Sequence, residues 1–157
     1  SQYDDILKIS HCTEVEARGC VINPHGGNRE DGVDVMRWSA FVAFLDCAVG
    51  CGKKYAFTIK GGSREITLSN VTIIGEPGRE GVDIDIGNFS ETVPDAKTGV
   101  VHLENVTHES GRPVRVRVGW AEKPVITGGH VKILFWQSLA LKLYVLIKRL
   151  CYSFTNR

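Results

Sequence analysis

Residues 66–73 read Ile-Thr-Leu-Ser-Asn-Val-Thr-Ile, an alternation of apolar and polar side chains that continues beyond a central Asn70. The period of two is typical of a β-strand with one buried face. Similar strings, with Gly, Asp or Asn at the central place, occur at 15–22, 42–49 and 101–107, and a weaker copy with Gly129 at that place occurs at 125–131. The chain therefore repeats one strand, turn and strand unit.

A second kind of string lies between the copies of the first. It is a short alternating strand without a central Asn, found at 32–35, 56–59, 81–86 and 113–118. The two kinds alternate and return about every 24 residues, with strands too short and turns too rich in glycine for crossover helices. This regularity predicts coils stacked in parallel over residues 1–131, each adding a strand to several sheets, about five coils and about 24 Å in all.

The repeat pattern over about residues 15–131 resembles the right-handed parallel β-helix superfamily, which includes pectate lyases, polygalacturonases and phage tailspikes. The resemblance implies an all-β fold, a single-stranded right-handed parallel β-helix of about five coils. It also implies a ladder of stacked turn residues, in which Asn70 and Asn105 hydrogen-bond along the stack and Asp46 and Gly19 replace Asn in other coils.

The aligned apolar positions predict the core. They are Val15, Ala17, Cys20, Ile22, Val42, Phe44, Cys47, Val49, Ile66, Leu68, Val71, Ile73, Val101, Leu103 and Val106. Cys20 and Cys47 align with Val71, so we interpret them as small buried hydrophobes rather than as a nucleophile or a metal pair. The spacing of Cys47 and Cys51 also differs from that of a zinc knuckle.

In the second kind of strand, one side of each alternation should face outward. The predicted inward residues are Val33, Val35, Phe57, Ile59, Val82, Ile84, Val114 and Val116. The predicted outward rows are Asp34, Thr58, Asp83 and Arg115, followed by Met36, Lys60, Asp85 and Arg117. We expect an exposed, charged sheet face, with His25, Asp31, Arg37 and Arg64 on nearby turns as ligand-binding candidates.

The resemblance implies that such a face holds a sugar-binding groove. Its candidate catalytic residues are Asp34, Asp83, Asp85, Lys60, Arg115 and Arg117. The three carboxylates would hold Ca²⁺ or act as acid and base, and a cation would act beside a uronate carboxylate. The chain lacks the family's paired Asp-Asp followed by Gly-His-Gly, and its Arg-x-Lys.

These departures favour a non-enzymatic structural or binding module of a virion or other assembly, without a cofactor. Its expected partner is a polysaccharide or a neighbouring protein subunit, and the pattern does not require an oligomer. The alternative is a polysaccharide lyase or glycoside hydrolase that uses the charged face, with Ca²⁺ as its cofactor. A net charge of +1 argues against nucleic acid as a partner.

Residues 1–122 hold 13 Lys and Arg against 18 Asp and Glu, whereas residues 123–157 hold 6 Lys and Arg and no acid. Residues 132–157 are apolar and basic, and we predict a C-terminal α-helix there. Three interpretations stay open for it: a cap on the last coil, an element that binds a membrane surface or a partner, and a tail that replaces the domain's original end. Its contact residues would be Trp136, Lys142, Lys148 and Arg149.

The compartment is inferred from the cysteines and the first residues. Five cysteines are an odd number, which favours reduced thiols. Residues 1–10 are polar and acidic, without the pattern of a secretion signal. We therefore expect a cytoplasmic or particle-associated protein.

Overall fold

Parallel pairing organises the part of the chain that the computed structural model describes, residues 5–23, 31–76, 81–88 and 96–135. All of its paired strands run parallel, and these residues include no helix. The described fold is therefore all-β, as the alternating strings predict. None of the described segments is a helix long and apolar enough to cross a membrane.

The strands form three sheets. The six-stranded sheet consists of β1 (Leu7–Ser10), β4 (Asp31–Met36), β7 (Tyr55–Lys60), β10 (Ile84–Asn88), β13 (Val114–Val118) and β15 (Val131–Phe135). The five-stranded sheet consists of β2 (Thr13–Arg18), β5 (Ala40–Leu45), β8 (Arg64–Ser69), β11 (Val101–Glu104) and β14 (Val125–Thr127). The four-stranded sheet consists of β3 (Val21–Ile22), β6 (Ala48–Gly50), β9 (Thr72–Ile74) and β12 (Thr107–His108).

The chain visits these sheets in rotation, so each strand pairs with the strand one rotation earlier and one rotation later. We call one rotation a coil. This repeated parallel order is that of a solenoid or β-helix-like fold, and it confirms that the two kinds of string alternate. The core joins side chains from all three sheets, for example Phe57, Phe44 and Val49, each fully buried. The rings of Phe44 and Phe57 meet edge to face at 5.2 Å.

The predicted alignment of the first kind of string is confirmed by the register of the five-stranded sheet. Val15 pairs with Val42, Val42 with Ile66, and Ile66 with Val101. The predicted core positions from Val42 to Val106 are buried, whereas the first-coil positions, from Val15 to Ile22, are only partly buried. In the described residues the first coil has a neighbouring coil on one side only, which explains the difference.

The predicted turn ladder is also confirmed. Asn70 donates from Nδ2 to Oδ1 of Asp46 at 2.9 Å, and Asn105 donates from Nδ2 to Oδ1 of Asn70 at 3.2 Å. These three residues have φ between 50° and 55°, and Gly19 at the corresponding place has φ 62°. Asn tolerates this left-handed conformation better than most residues, so one residue type satisfies both the turn and the ladder.

The weaker copy of the first kind of string, residues 125–131, is shifted by one residue from its predicted alignment. Val125 pairs with His102 and Ile126 pairs with Leu103, so Gly128 rather than Gly129 follows at the turn place. A shift of one residue exchanges the two faces of a strand. Ile126 therefore points toward the core side, and Val125 points outward.

The helix predicted over residues 132–157 is wrong at its start. Residues 131–135 form β15, which pairs with β13 from Val114↔Val131 to Val118↔Phe135. The sheet ladder supplies hydrogen bonds that a helix would have to replace. Residues 136–157, with the candidates Trp136, Lys142, Lys148 and Arg149, lie outside the described residues, and the helix stays a prediction for them.

Candidate functional site

The outer face of the six-stranded sheet carries the predicted charged residues, but in a different register. One row runs across the strands as Lys8, Asp34, Thr58, Asp85, Arg117 and Leu134. The predicted row that joined Asp83 to Thr58 is wrong. Asp83 lies one row away, beside Arg115, to whose carbonyl oxygen its amide donates at 2.9 Å.

The predicted exposure of this face is also wrong. Asp34, Asp83 and Asp85 are 2%, 0% and 1% exposed. Short carboxylates on this face pair with longer cations, and those cations are mostly buried themselves. The predicted inward residues, by contrast, are buried in the core as expected.

Asp83 forms a bidentate ion pair with Arg112. Nη1 and Nη2 of Arg112 donate to the two carboxylate oxygens at 2.8 Å each, and the amide of Arg115 donates to Oδ2 at 2.8 Å. Donation of these hydrogen bonds to the Asp83 carboxylate raises the pKa of the Arg112 guanidinium. The Sγ atom of Cys51 lies 3.8 Å from Oδ1 of Asp83, and burial, followed by this carboxylate, raises the pKa of that thiol to about 12. The Asp83 carboxylate is thus covered and paired on both oxygens, and the raised pKa keeps the Cys51 thiol protonated at neutral pH.

Asp85 forms the second bidentate pair. Nε and Nη2 of Arg117 donate to its two oxygens at 2.8 and 2.9 Å. The same guanidinium donates to the Tyr55 hydroxyl and lies 5.1 Å from the centre of the Tyr55 ring. This geometry fixes Arg117 between a carboxylate and an aromatic ring.

Asp34 and Asp31 each use only one carboxylate oxygen in an ion pair or hydrogen bond. Oδ2 of Asp34 lies 3.1 Å from Nζ of Lys60, and Oδ2 of Asp31 accepts a hydrogen bond from the Thr58 hydroxyl at 2.8 Å. The Oδ1 atoms of both aspartates are buried without a hydrogen-bond partner. Burial raises the pKa of each carboxyl to about 6, and the negative charge of Asp5 adds to the shift. Each of these two carboxyls therefore binds or releases its proton at a pH close to neutrality.

The structure does not gather all the predicted catalytic and calcium residues at one place. Asp34 and Asp85 are in one row but separated by Thr58, and two strand spacings amount to about 9.6 Å. Such a backbone distance is too large for short carboxylates to share one ion directly. Arg115 has an exposed side chain, from which Nη1 donates to the carbonyl of Gly81 at 3.3 Å.

The turn residues predicted to bind a ligand are dispersed. Arg64 is exposed at the start of β8, in the five-stranded sheet, whereas Asp31 opens β4 in the six-stranded sheet. Arg37 follows β4 in a left-handed conformation, with a buried Nε that has no hydrogen-bond partner. His25 lies outside the described residues.

Sequence reasoning missed four residues of this face: Asp5, Lys8, Tyr55 and Arg112. Lys8 had a detectable signal, because residues 7–10, Leu-Lys-Ile-Ser, form a further copy of the second kind of string. Its partner in the register is Asp34. Asp5 and Arg112 precede strands and Tyr55 is the first residue of β7, places where the repeat pattern specifies nothing.

Large apolar side chains are exposed elsewhere. Ile6 and Val21 lie in the first coil, and Val125 and Ile126 lie in β14, the last strand of the five-stranded sheet. Trp38, between β4 and β5, is 51% exposed, Phe41, the second residue of β5, is 57% exposed, and both have positive φ.

Comparison with protein-family models, with curated proteins and with solved structures gives no match for the chain. The function must therefore be inferred from the site itself. In the part of the chain that the structure describes, this face carries two bidentate pairs, Asp83–Arg112 and Asp85–Arg117, and two aspartates, Asp31 and Asp34, that each have one oxygen without a hydrogen-bond partner.

Proposed function

We propose that the chain is a non-enzymatic structural module, a right-handed parallel β-helix of about five coils that contacts a neighbouring protein subunit in an assembly. The partner to which we commit is a second copy of this chain. The burial and pairing of Asp83 and Asp85 carry the proposal. A polymeric substrate needs accessible acid and base groups, whereas these carboxylates are covered and held by two hydrogen bonds each from arginine.

The ends of the stack support contact between copies. Among the described residues, β14 is the last strand of the five-stranded sheet, with Val125 47% exposed and the core-side Ile126 40% exposed. At the opposite end, Val21 of β3 is 65% exposed. A terminal strand also presents backbone groups that can pair with another strand. Joining two such ends would bury the apolar side chains.

Light scattering over a range of protein concentrations tests this association. We expect a mass above the 17.3 kDa of one chain, rising with concentration. Val125→Lys and Val21→Lys should each lower that mass, because a charge replaces an outward apolar group at one end. Lys123→Gln, an exposed change two residues from Val125, is the matched control. A single-chain mass at all concentrations, or association that neither end variant weakens, would contradict the proposal.

One observation favours a second function, a polysaccharide lyase or hydrolase. The carboxyls of Asp31 and Asp34 have pKa values raised to about 6 by burial, and Lys60 lies beside Asp34. Carboxyls with such raised pKa values are frequent at catalytic sites, where they act as acid or base. The exposed rings of Trp38 and Phe41 offer flat apolar surfaces for a sugar.

This second function is tested by incubating the chain with neutral and uronate-containing polysaccharides and measuring new reducing ends and unsaturated products. Cleavage that Asp34→Asn abolishes, while Glu16→Gln retains it, would support the enzyme. Circular dichroism would establish that both variants keep the β-rich spectrum. If neither class of polymer is cut, the enzymatic function is excluded for those substrates and the structural role stands alone.

A further inference from the structure

Three carboxylates meet where the first two strands of the six-stranded sheet begin. Asp5 precedes β1, and Asp31 and Asp34 belong to β4; one carboxylate oxygen from each lies within 4.8 Å of the others. The backbone fixes this arrangement, since Lys8 pairs with Asp34 and the amide of Ile6 donates to the carbonyl of Asp31 at 3.1 Å. Asp31 and Asp34 are buried, at 4% and 2% exposed, and Asp5 is a half-buried residue whose side chain is 6% exposed.

A second observation shows that protein groups do not complete this cluster. The Thr58 hydroxyl and Lys60 use one oxygen each of Asp31 and Asp34, and the Oδ1 atom of each aspartate remains buried without a hydrogen-bond partner. A buried carboxylate oxygen without a donor is costly, and an ion is one of the few groups that can satisfy it.

Asp31 is the aspartate of this cluster for which a cation would matter most. Lys60 lies beside Asp34, and Lys8 lies 3.2 Å from Asp5. The contact of Asp31 at Oδ2 is with the neutral Thr58 hydroxyl, and its Oδ1 is buried without a hydrogen-bond partner.

We propose that Asp5, Asp31 and Asp34 bind a divalent cation, Ca²⁺, which fastens the segment before β1 to the first two coils. Carboxylate oxygens suit hard cations. Calcium accepts about six to eight oxygens in a flexible geometry, whereas magnesium demands a near-ideal octahedron and usually keeps several waters, so a site of three mostly buried carboxylates suits calcium better. The mutual distances of the three oxygens, all within 4.8 Å, allow them to share one ion. The role is structural, because the site lies at the buried edge of the first strands.

The site is tested on the full-length chain after treatment with a chelator. The two measurements are calorimetric titration with CaCl₂ and thermal unfolding at several CaCl₂ concentrations. We expect saturable binding of one Ca²⁺ per chain and a melting temperature that rises with CaCl₂. Asp31→Asn and Asp5→Asn should each weaken binding at least about tenfold, since each removes one of three charged ligands. Glu16→Gln, which changes an exposed acid on the five-stranded sheet, should leave binding unchanged.

Any of three results would overturn the calcium site. One is the absence of both binding heat and a thermal shift up to about 10 mM CaCl₂, a concentration well above the dissociation constants of the weakest calcium sites. The others are an equal response to MgCl₂ and an unchanged calcium affinity in the two aspartate variants. If Asp31→Asn fails to fold, Asp5→Asn and the wild-type titration decide. The readout does not depend on association between copies, so this inference and the proposed function can fail separately.

Discussion

Asp83 accepts hydrogen bonds from both terminal nitrogens of Arg112, at 2.8 Å each, while its own side chain is completely buried. Asp83→Asn would remove the negative charge and leave the guanidinium without its counter-ion. Breaking one member of a fully buried pair typically costs about 3–5 kcal/mol; because the Arg112 side chain is 21% exposed and can reach water, we expect a smaller loss of about 2 kcal/mol in the free energy of unfolding, measured with urea.

The control for this variant is Glu16→Gln, which disrupts the exposed pair between Glu16 and Arg18 at 3.0 Å. It should cost less than about 1 kcal/mol, because water screens an exposed pair. Adding Arg112→Met to Asp83→Asn should recover part of the loss. Equal costs for the buried and exposed variants would show that the Asp83–Arg112 pair does not stabilise the fold.

The turn ladder gives a prediction that separates side-chain bonding from backbone strain. Asn70→Gly keeps the left-handed turn but loses the bonds to Asp46 and Asn105, and we expect it to cost about 1 kcal/mol. Asn70→Ala adds the strain of a left-handed alanine, for a total of about 2 kcal/mol. Urea unfolding measures both. An alanine variant as stable as the glycine variant would mean that the turn relaxes.

Two glycines at this turn differ in their surroundings. A Cβ on Gly128 would lie 2.2 Å from Oδ1 of Asn105, whereas a Cβ on Gly19 would meet no atom within 4 Å. Both have positive φ, so both alanine variants carry about 1 kcal/mol of backbone strain. Gly128→Ala should cost about 1–3 kcal/mol more, because it also displaces Asn105. Melting temperatures that fall equally in the two variants would disprove the crowding at Gly128.

The sequence predicts the stack of parallel strands because two signals coincide. Alternation identifies each strand, and the turn residues Asp46, Asn70 and Asn105 fix which residues stack. The second kind of string has no such marker. In residues 81–86, both Val82-Asp83-Ile84 and Ile84-Asp85-Ile86 fit the alternation, so pattern alone cannot choose between registers two residues apart. The structure selects the second, which places Asp85 beside Thr58.

The sequence predicts which charged residues lie on the outer face of the six-stranded sheet better than it predicts their burial and their ion-pair partners. Outward polar residues of a sheet are usually solvated, and the sequence does not reveal that Arg112 and Arg117 reach back across the face to Asp83 and Asp85. The acidic cluster was missed for a related reason, since Asp5 precedes the first strand and joins Asp34 only through the pairing of β1 with β4.

The described cysteines should differ in reactivity. Cys51 is 4% exposed with a pKa raised to about 12, and Cys47 is 2% exposed, whereas Cys12 and Cys20 are partly exposed. At pH 8, a thiol with that pKa is ionised in only about one molecule in ten thousand. We expect iodoacetamide to label Cys12 and Cys20 in the folded chain and Cys51 only after denaturation, as measured on peptides by mass spectrometry. Rapid labelling of Cys51 would contradict its burial.

The carboxyls of Asp31 and Asp34 should make stability depend on pH in metal-free buffer. Each has a folded-state pKa of about 6 against an ordinary value of 3.8, so the folded chain binds more protons than the unfolded chain between these values. Each carboxyl therefore lowers the free energy of unfolding as the pH rises. This loss is absent below about pH 4 and complete above about pH 7, with an upper limit of about 3 kcal/mol per group. Burial is the main cause of both raised pKa values; Asp5 adds to both, Asp34 adds to that of Asp31, and Lys60 opposes both.

Asp31→Asn removes one of these titrations and still lets the Thr58 hydroxyl donate to an oxygen. Relative to the wild type, this variant should be more stable at pH 7.5 than at pH 5, because only the wild type carries the cost of ionising a buried acid at the higher pH. Urea unfolding in the presence of chelator at both pH values measures the difference. Ser69→Ala, which introduces no titratable group, should shift the free energy of unfolding equally at both. A difference between wild type and Asp31→Asn that is the same at pH 5 and pH 7.5 would show that the Asp31 carboxyl does not titrate in this range.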